Sequence, residues 1–331
     1  MEIKKKMEKI ILNKPRKSFS ISGVFVFLFL AMINATSSLS LSQETKKEGL
    51  AYDISVNAIS IAVTVQDKGG RYINDLRAED FTIYENNIKK VITYFKHDFE
   101  APLSLTVLLD VSGSMALQDK LAESKEALNY LITNLLSPHD EVSLLIFADG
   151  EVEVAANFST DKNKLLTVVE KTEAYGQTAL NDAVAVSPEF ANKGQNEKRA
   201  LLLITDGIEN DSQYSADQAV EVARRVDVPI YTIGYKIPLS EQYLRKHKRA
   251  PTLTPSGIID TLERFSQATG GRAFFMNQPD ELKAALREIK KELSHHYLIG
   301  YTSYKNPKNE YRKIKVITSN KKYKVRTREG Y

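Results

Sequence analysis

In Leu103-Ser104-Leu105-Thr106-Val107-Leu108-Leu109-Asp110-Val111-Ser112-Gly113-Ser114, a mostly apolar run leads straight into one carboxylate and two hydroxyls. An apolar run closed by a glycine-containing turn predicts an interior parallel strand. Ligands of open α/β sheets gather beyond the carboxyl ends of such strands. Asp110, Ser112 and Ser114 therefore leave the sheet together where a ligand is expected. Two further fragments have the same form. Leu201-Leu202-Leu203-Ile204-Thr205-Asp206-Gly207 ends a second apolar strand in a carboxylate, and Tyr175-Gly176-Gln177-Thr178-Ala179-Leu180 offers a hydroxyl on a glycine-led loop before a helical pattern. Five oxygen donors result, three of them neutral, and such a set suits a hard cation. Mg²⁺ takes oxygen ligands in a near-octahedral arrangement at about 2.0–2.1 Å and keeps several waters. Ser112, Ser114 and Thr178 can bind as hydroxyls, with Asp110 and Asp206 acting directly or through water. Few anionic ligands would leave the ion electrophilic, with a position open to a carboxylate of another protein.

The arrangement Asp-x-Ser-x-Ser, a distant Thr and a distant Asp-Gly resembles the metal-ion-dependent adhesion site of von Willebrand factor A domains, and Asp110, Ser112, Ser114, Thr178 and Asp206 fill all five places. The resemblance implies a metal site for Mg²⁺ or Mn²⁺ and a protein ligand that contributes an acidic residue. Taken alone, Asp110-Val111-Ser112-Gly113-Ser114 also reads as a plain turn, since Asp and Ser bond their own backbone and Gly permits positive φ. The order of the three fragments along the chain favours the metal. A phosphatase of the haloacid-dehalogenase kind also ends a strand in Asp, but it would need a second Asp where Ser112 stands.

Outward from this segment, residues 103–294 alternate apolar strand patterns with helical ones, the signature of a parallel sheet covered by helices. Strands are expected near 103–109, 141–147, 151–157, 199–205, 228–234 and 272–275, and helices near 118–135, 161–171, 179–192, 215–225, 258–269 and 279–294. Asp149-Gly150 predicts an antiparallel hairpin turn at a sheet edge. The expected fold class is α/β, a Rossmann-like doubly wound and mostly parallel sheet, assigned to residues 101–296. On either side the pattern turns to β, in 51–100 and again in 297–331. Neither piece is long enough to stand alone, so the economical reading pairs them into one β-sandwich-like domain from which the α/β domain is inserted. Asp67-Lys68-Gly69-Gly70-Arg71, Leu76 with Glu79-Asp80-Phe81, Tyr84-Glu85, Thr269-Gly270-Gly271-Arg272 and Arg328-Glu329-Gly330-Tyr331 resemble bacterial secreted proteins with von Willebrand factor A-related domains.

The chain has 331 residues, 42% hydrophobic and 27% charged, an ordinary globular balance with room for about two domains. Residues 1–20 carry seven Lys/Arg and two Glu, and the apolar stretch Ile21–Ile33 follows. That stretch is shorter than the roughly 20 residues a membrane-spanning helix needs, and Ala35-Thr36-Ser37 offers small residues for cleavage. Residues 1–37 are accordingly expected to be a signal peptide, or an uncleaved anchor, followed by a Ser-rich linker over 38–50. Export to the periplasm, cell envelope or exterior follows. The formal charge of +4 largely reports this leader, so it is no argument for nucleic acid, and no membrane contact is expected beyond the leader. With no cysteine, disulfides and thiol catalysis are excluded.

Lys236, Arg245, Lys246, His247, Lys248 and Arg249 lie on a loop after an expected strand end, either as an electropositive rim beside the metal or as a solvated loop. His295 and His296 are adjacent and so point apart, which argues against a second metal. No phosphate-binding loop, zinc-protease or serine-hydrolase motif occurs, and Ser112 has no evident base. No catalytic residue and no organic cofactor are expected. The leading expectation is a non-enzymatic exported binding module. The alternatives are a hydrolase in which Mg²⁺ activates water and a scaffold in which the metal only locks loops.

Overall fold

A computed structural model describes residues 56–97, 100–238, 254–304 and 310–331. Six strands form the central sheet: β5 (Leu103–Asp110), β6 (Glu141–Ala148), β7 (Glu151–Ser159), β8 (Lys198–Thr205), β9 (Ile230–Tyr235) and β10 (Ala273–Met276), in the order β10-β9-β8-β5-β6-β7. All neighbours are parallel except β6 and β7, which are antiparallel. The hairpin between them turns at Asp149 and Gly150, with φ of 49° and 72°. Two successive positive values are what a two-residue turn matched to strand twist requires.

Every residue of β5 is buried, because helices cover both faces. One face packs Leu103, Leu105, Val107 and Leu109 against α1 (Lys120–Tyr130), α2 (Lys162–Lys171) and α6 (Pro279–Ser294). The other packs Leu108, Leu145, Leu201 and Leu203 against α3 (Leu180–Ala191), α4 (Ala216–Ala223) and α5 (Pro255–Thr269). Two polar residues inside β5 are tolerated because each finds a partner. The Ser104 hydroxyl donates to Glu141 Oε1 at 2.6 Å, and Thr106 and Ser143 share a hydroxyl–hydroxyl bond of 2.9 Å.

The helix expected over 118–135 is shorter and interrupted. Gly113–Asp119 forms tight turns kinked at Leu117 and Gln118, α1 follows, and a wider turn closes the segment when the Leu136 amide reaches the Leu131 carbonyl. Gln118 and Asp119 both take left-handed φ, at 56° and 57°. That conformation is unfavourable for residues with a side chain, and apolar spacing does not report it.

The flanking β segments do pair. β1 (Val56–Gln66) runs antiparallel to β11 (Tyr297–Tyr304) over eight registered positions, from Val56 opposite Tyr304 to Val63 opposite Tyr297. With β4 (Ile92–Lys96) and β13 (Lys324–Arg326) they make a sheet ordered β13-β1-β11-β4. A second sheet, β12-β2-β3, joins β12 (Ile314–Thr318) to β2 (Phe81–Glu85) and β3 (Ile88–Lys90). Ile61, Val63, Phe81 and Ile83 from one end of the chain share an apolar cluster with Tyr297, Ile299, Ile314 and Val316 from the other.

The two parts meet at Glu292 on α6, which is fully buried. Its carboxylate accepts the Tyr231 hydroxyl at 2.6 Å and the Tyr72 hydroxyl at 3.4 Å, and it pairs with Arg326 of β13. The adjacent histidines go to different places: His296 bonds Tyr231 at 3.1 Å, while His295 stacks on Tyr72.

Candidate functional site

Asp110 is the last residue of β5, and Asp206 directly follows β8, its neighbour in the sheet. Parallel pairing therefore delivers both carboxylates to one edge. Neither has any solvent exposure. Asp110 Oδ1 accepts the Ser112 amide at 2.9 Å, and its Oδ2 accepts the Thr205 hydroxyl at 2.6 Å. Asp206 Oδ1 accepts the Ile208 amide at 3.1 Å, and Oδ2 accepts Lys120 Nζ at 2.7 Å. Each carboxylate oxygen thus holds at least one donor, which fixes the rotamers of both side chains. The hydroxyls of Ser112 and Ser114 lie 3.1 Å apart.

Thr178, also buried, comes from a third loop that is stitched to the other two by backbone. The Gly113 amide donates to the Gly176 carbonyl at 3.0 Å, and the Tyr175 amide to the Val111 carbonyl at 2.8 Å. The amides of Asn210 and Asp211 donate to the Thr178 carbonyl at 3.1 and 3.0 Å, and Asn210 Oδ1 accepts the Thr178 amide at 3.0 Å. From the β6–β7 turn, the Asp149 amide donates to the Gln177 carbonyl at 2.9 Å while Asp149 Oδ1 accepts the Gln177 amide at 2.6 Å. Gly176 is obligatory here. Its φ is +66°, and a Cβ would fall 2.1 Å from Asp149 Oδ1. The structure therefore links the loops carrying all five residues.

Burial, and then the charge of Asp206, pushes the Asp110 carboxyl up to about 7. Two carboxylates in a dry site repel, and a bound cation would relieve that repulsion. Among the described residues no three His, Cys, Asp or Glu side chains gather as a metal-binding group. The candidate donor set is instead two carboxylates with hydroxyls, a hard oxygen set that fits Mg²⁺ or Mn²⁺.

Of the expected basic rim, residues 245–249 lie outside the described residues. Lys236 is engaged with Glu123 and with the Gln118 carbonyl at 2.9 Å. On the β7 side the rim is acidic: burial and the carboxylates of Glu153, Asp149 and Glu151 push the Tyr175 phenol up.

Three participants escaped the sequence reading: Thr205, Asn210 and Lys120. A hydroxyl next to Asp206 was visible, but its direction was not. Lys120 sits in the first turn of α1 with 2% of its side chain exposed, whereas a lone lysine opening a helix ordinarily reads as solvated.

Residues 105–209 match the family model of the von Willebrand factor type A domain. An uncharacterized protein of Borreliella burgdorferi is 24% identical over 235 residues, covering 67% of this chain and 63% of that protein. An uncharacterized protein of Synechocystis sp. is 23% identical over 213 residues, covering 62% of this chain and 44% of that one. The chain thus spans less than two thirds of the length of these relatives. Among solved structures, a von Willebrand factor type A protein from Catenulispora acidiphila aligns with a TM-score of 0.47 at 15% identity, over 65% of this chain and 50% of its own. At that level the likeness carries no argument about function. All five oxygen-bearing residues fall within residues 105–209, the part of the chain that matches the von Willebrand factor type A domain.

Proposed function

We propose that this protein is an exported, non-enzymatic binding module that holds Mg²⁺ or Mn²⁺ at Asp110, Ser112, Ser114, Thr178 and Asp206 and captures a protein partner through an acidic side chain. One observation carries this reading. Two fully buried carboxylates and the Ser112–Ser114 hydroxyl pair meet at one sheet edge, on loops that hydrogen-bond one another. When bound, a divalent ion supplies a Lewis-acidic position that an incoming carboxylate can complete. The role of the chain is orientation: Thr205 and the Ser112 amide hold Asp110, and the Ile208 amide with Lys120 holds Asp206. The Ser112 hydroxyl is bonded to that of Ser114, which favours a ligand role over that of a nucleophile. Export rests on the basic and apolar leader. Among the described residues no helix is long and apolar enough to cross a membrane.

The test is thermal denaturation of the chain with Mg²⁺ or Mn²⁺ against EDTA. Binding to the folded state raises stability by RT ln(1 + [L]/Kd). The increment is expected in the wild type and absent in Asp110→Ala. An equal increment in Asp110→Ala would overturn the assignment. A metal-dependent pull-down from the source organism's envelope fraction then tests partner capture.

A further inference from the structure

Beside the two carboxylates lies a cation that the motif does not include. Lys120 Nζ donates to Asp206 Oδ2 at 2.7 Å and to the Ser114 carbonyl at 3.4 Å. The ammonium is as deeply buried as the carboxylate, 2% against 0% exposed. A buried lysine is expensive unless paired, and here the backbone is bent to deliver it. The left-handed residues Gln118 and Asp119 immediately precede it and turn the first residue of α1 back toward Asp206. Strain of this kind persists where the surrounding structure holds it, and it concentrates at sites.

Resting on the metal reading above, we propose that Lys120 is a built-in counter-ion that sets the charge of the site. Asp110, Asp206 and Lys120 together present a formal net charge of −1, where the two carboxylates alone would present −2. The ammonium has two consequences. It gives Asp206 a partner when no cation is bound, so the fold stands without metal. It also competes for that carboxylate, so metal affinity is lower than the five oxygens alone would give.

The experiment measures Mn²⁺ affinity by titration calorimetry and melting temperature in EDTA for the full chain and three variants: Lys120→Met, Asp206→Asn and the double substitution. Lys120→Met removes the charge while keeping an unbranched apolar stem. It is expected to melt lower in EDTA and to bind Mn²⁺ about tenfold or more tightly, since like and unlike charges at this range interact strongly in a dry site. Asp206→Asn leaves no net charge and should bind Mn²⁺ most weakly. The double variant returns the formal net charge to −1, carried by Asp110 alone, and should bind more tightly than Asp206→Asn alone. If Lys120→Met does not fold in EDTA, the comparison of the double variant with Asp206→Asn carries the test. Mn²⁺ affinity in folded Lys120→Met equal to or weaker than wild type would overturn the proposal, as would a double variant no tighter than Asp206→Asn. A wild type that binds Mn²⁺ no better than Asp110→Ala would remove the metal reading, and the proposal with it.

Discussion

Asp140 shows how much one side chain can organise before the site itself is reached. It is buried at the turn before β6. Its Oδ1 accepts the Leu103 amide at 2.8 Å, and its Oδ2 accepts the Ser137 amide at 2.8 Å and Lys290 Nζ at 2.6 Å. Burial would push this carboxyl up, but Lys290 and the two amides hold it below the usual carboxylate range. The start of β5 is thereby pinned to β6 and α6 at the end of the sheet opposite Asp110. Replacing Asp140 with Ala leaves two amides and an ammonium without their acceptor and should cost about 3 kcal/mol in urea denaturation. At the Asp110 end, Gly176→Ala should lower the melting temperature and abolish the proposed Mg²⁺ increment, because the added Cβ collides with the Asp149 carboxylate. Gly113→Ala should be milder, since its Cβ would approach the Gly176 carbonyl at 3.1 Å. Melting curves with and without Mg²⁺ rank the two.

At the scale of elements, α6 does two jobs. Its apolar stripe of Leu282, Leu286, Ile289 and Leu293 closes one face of the central sheet. Leu286→Ala should cost about 2–5 kcal/mol, as expected for a large-to-small change in a packed core. Its other job is carried by Glu292. Burial alone would raise that carboxyl, but His296, Arg326 and the Tyr231 hydroxyl hold it at about 2, below its ordinary 4.5. Burial lowers His296 from its ordinary 6.5. Both shifts have the same sign for stability. Below pH 6.5 the unfolded chain takes up a proton at His296 that the folded chain resists, and from pH 4.5 down towards 2 it does so again at Glu292. Stability should therefore fall with acidity in two stages. Glu292→Gln should flatten the second stage while lowering stability at neutral pH, which denaturant midpoints across the pH range will show.

Across the whole molecule, the two ends of the chain pair with each other, and the α/β unit between them is expected to fold without them. The segment 56–97 pairs its strands with β11, β12 and β13 and buries Ile61, Phe81 and Ile83 among their side chains. Deleting 297–331 should expose that face and leave 51–100 unfolded. Residues 101–296 excised alone contain both helical layers and all five oxygen-bearing residues, and should fold and bind Mg²⁺. Limited proteolysis of the truncated chain checks this. An N-terminal β segment that stays protected would refute the interdependence.

The local pattern of the chain determined the central sheet and the oxygen-bearing side chains at its edge, because both leave traces a few residues long. Leu103–Leu109 is too apolar to lie anywhere but between two helical layers, and Asp110, Ser112 and Ser114 follow it at once, so sheet position and donor position came from one segment. The same holds for Asp206 after Leu201–Thr205 and for Asp149-Gly150 at the hairpin. Only the tertiary structure decided what depends on residues far apart in the chain. It paired Val56–Val63 with Tyr297–Tyr304, since a strand's pattern says which face is buried and not which strand lies beside it. It also broke the helix after Ser114 at Gln118 and Asp119 and turned Lys120 inward to Asp206. A lysine at the start of a helix is solvated by default. What reversed that here is a second buried charge 86 positions later, which no local spacing announces.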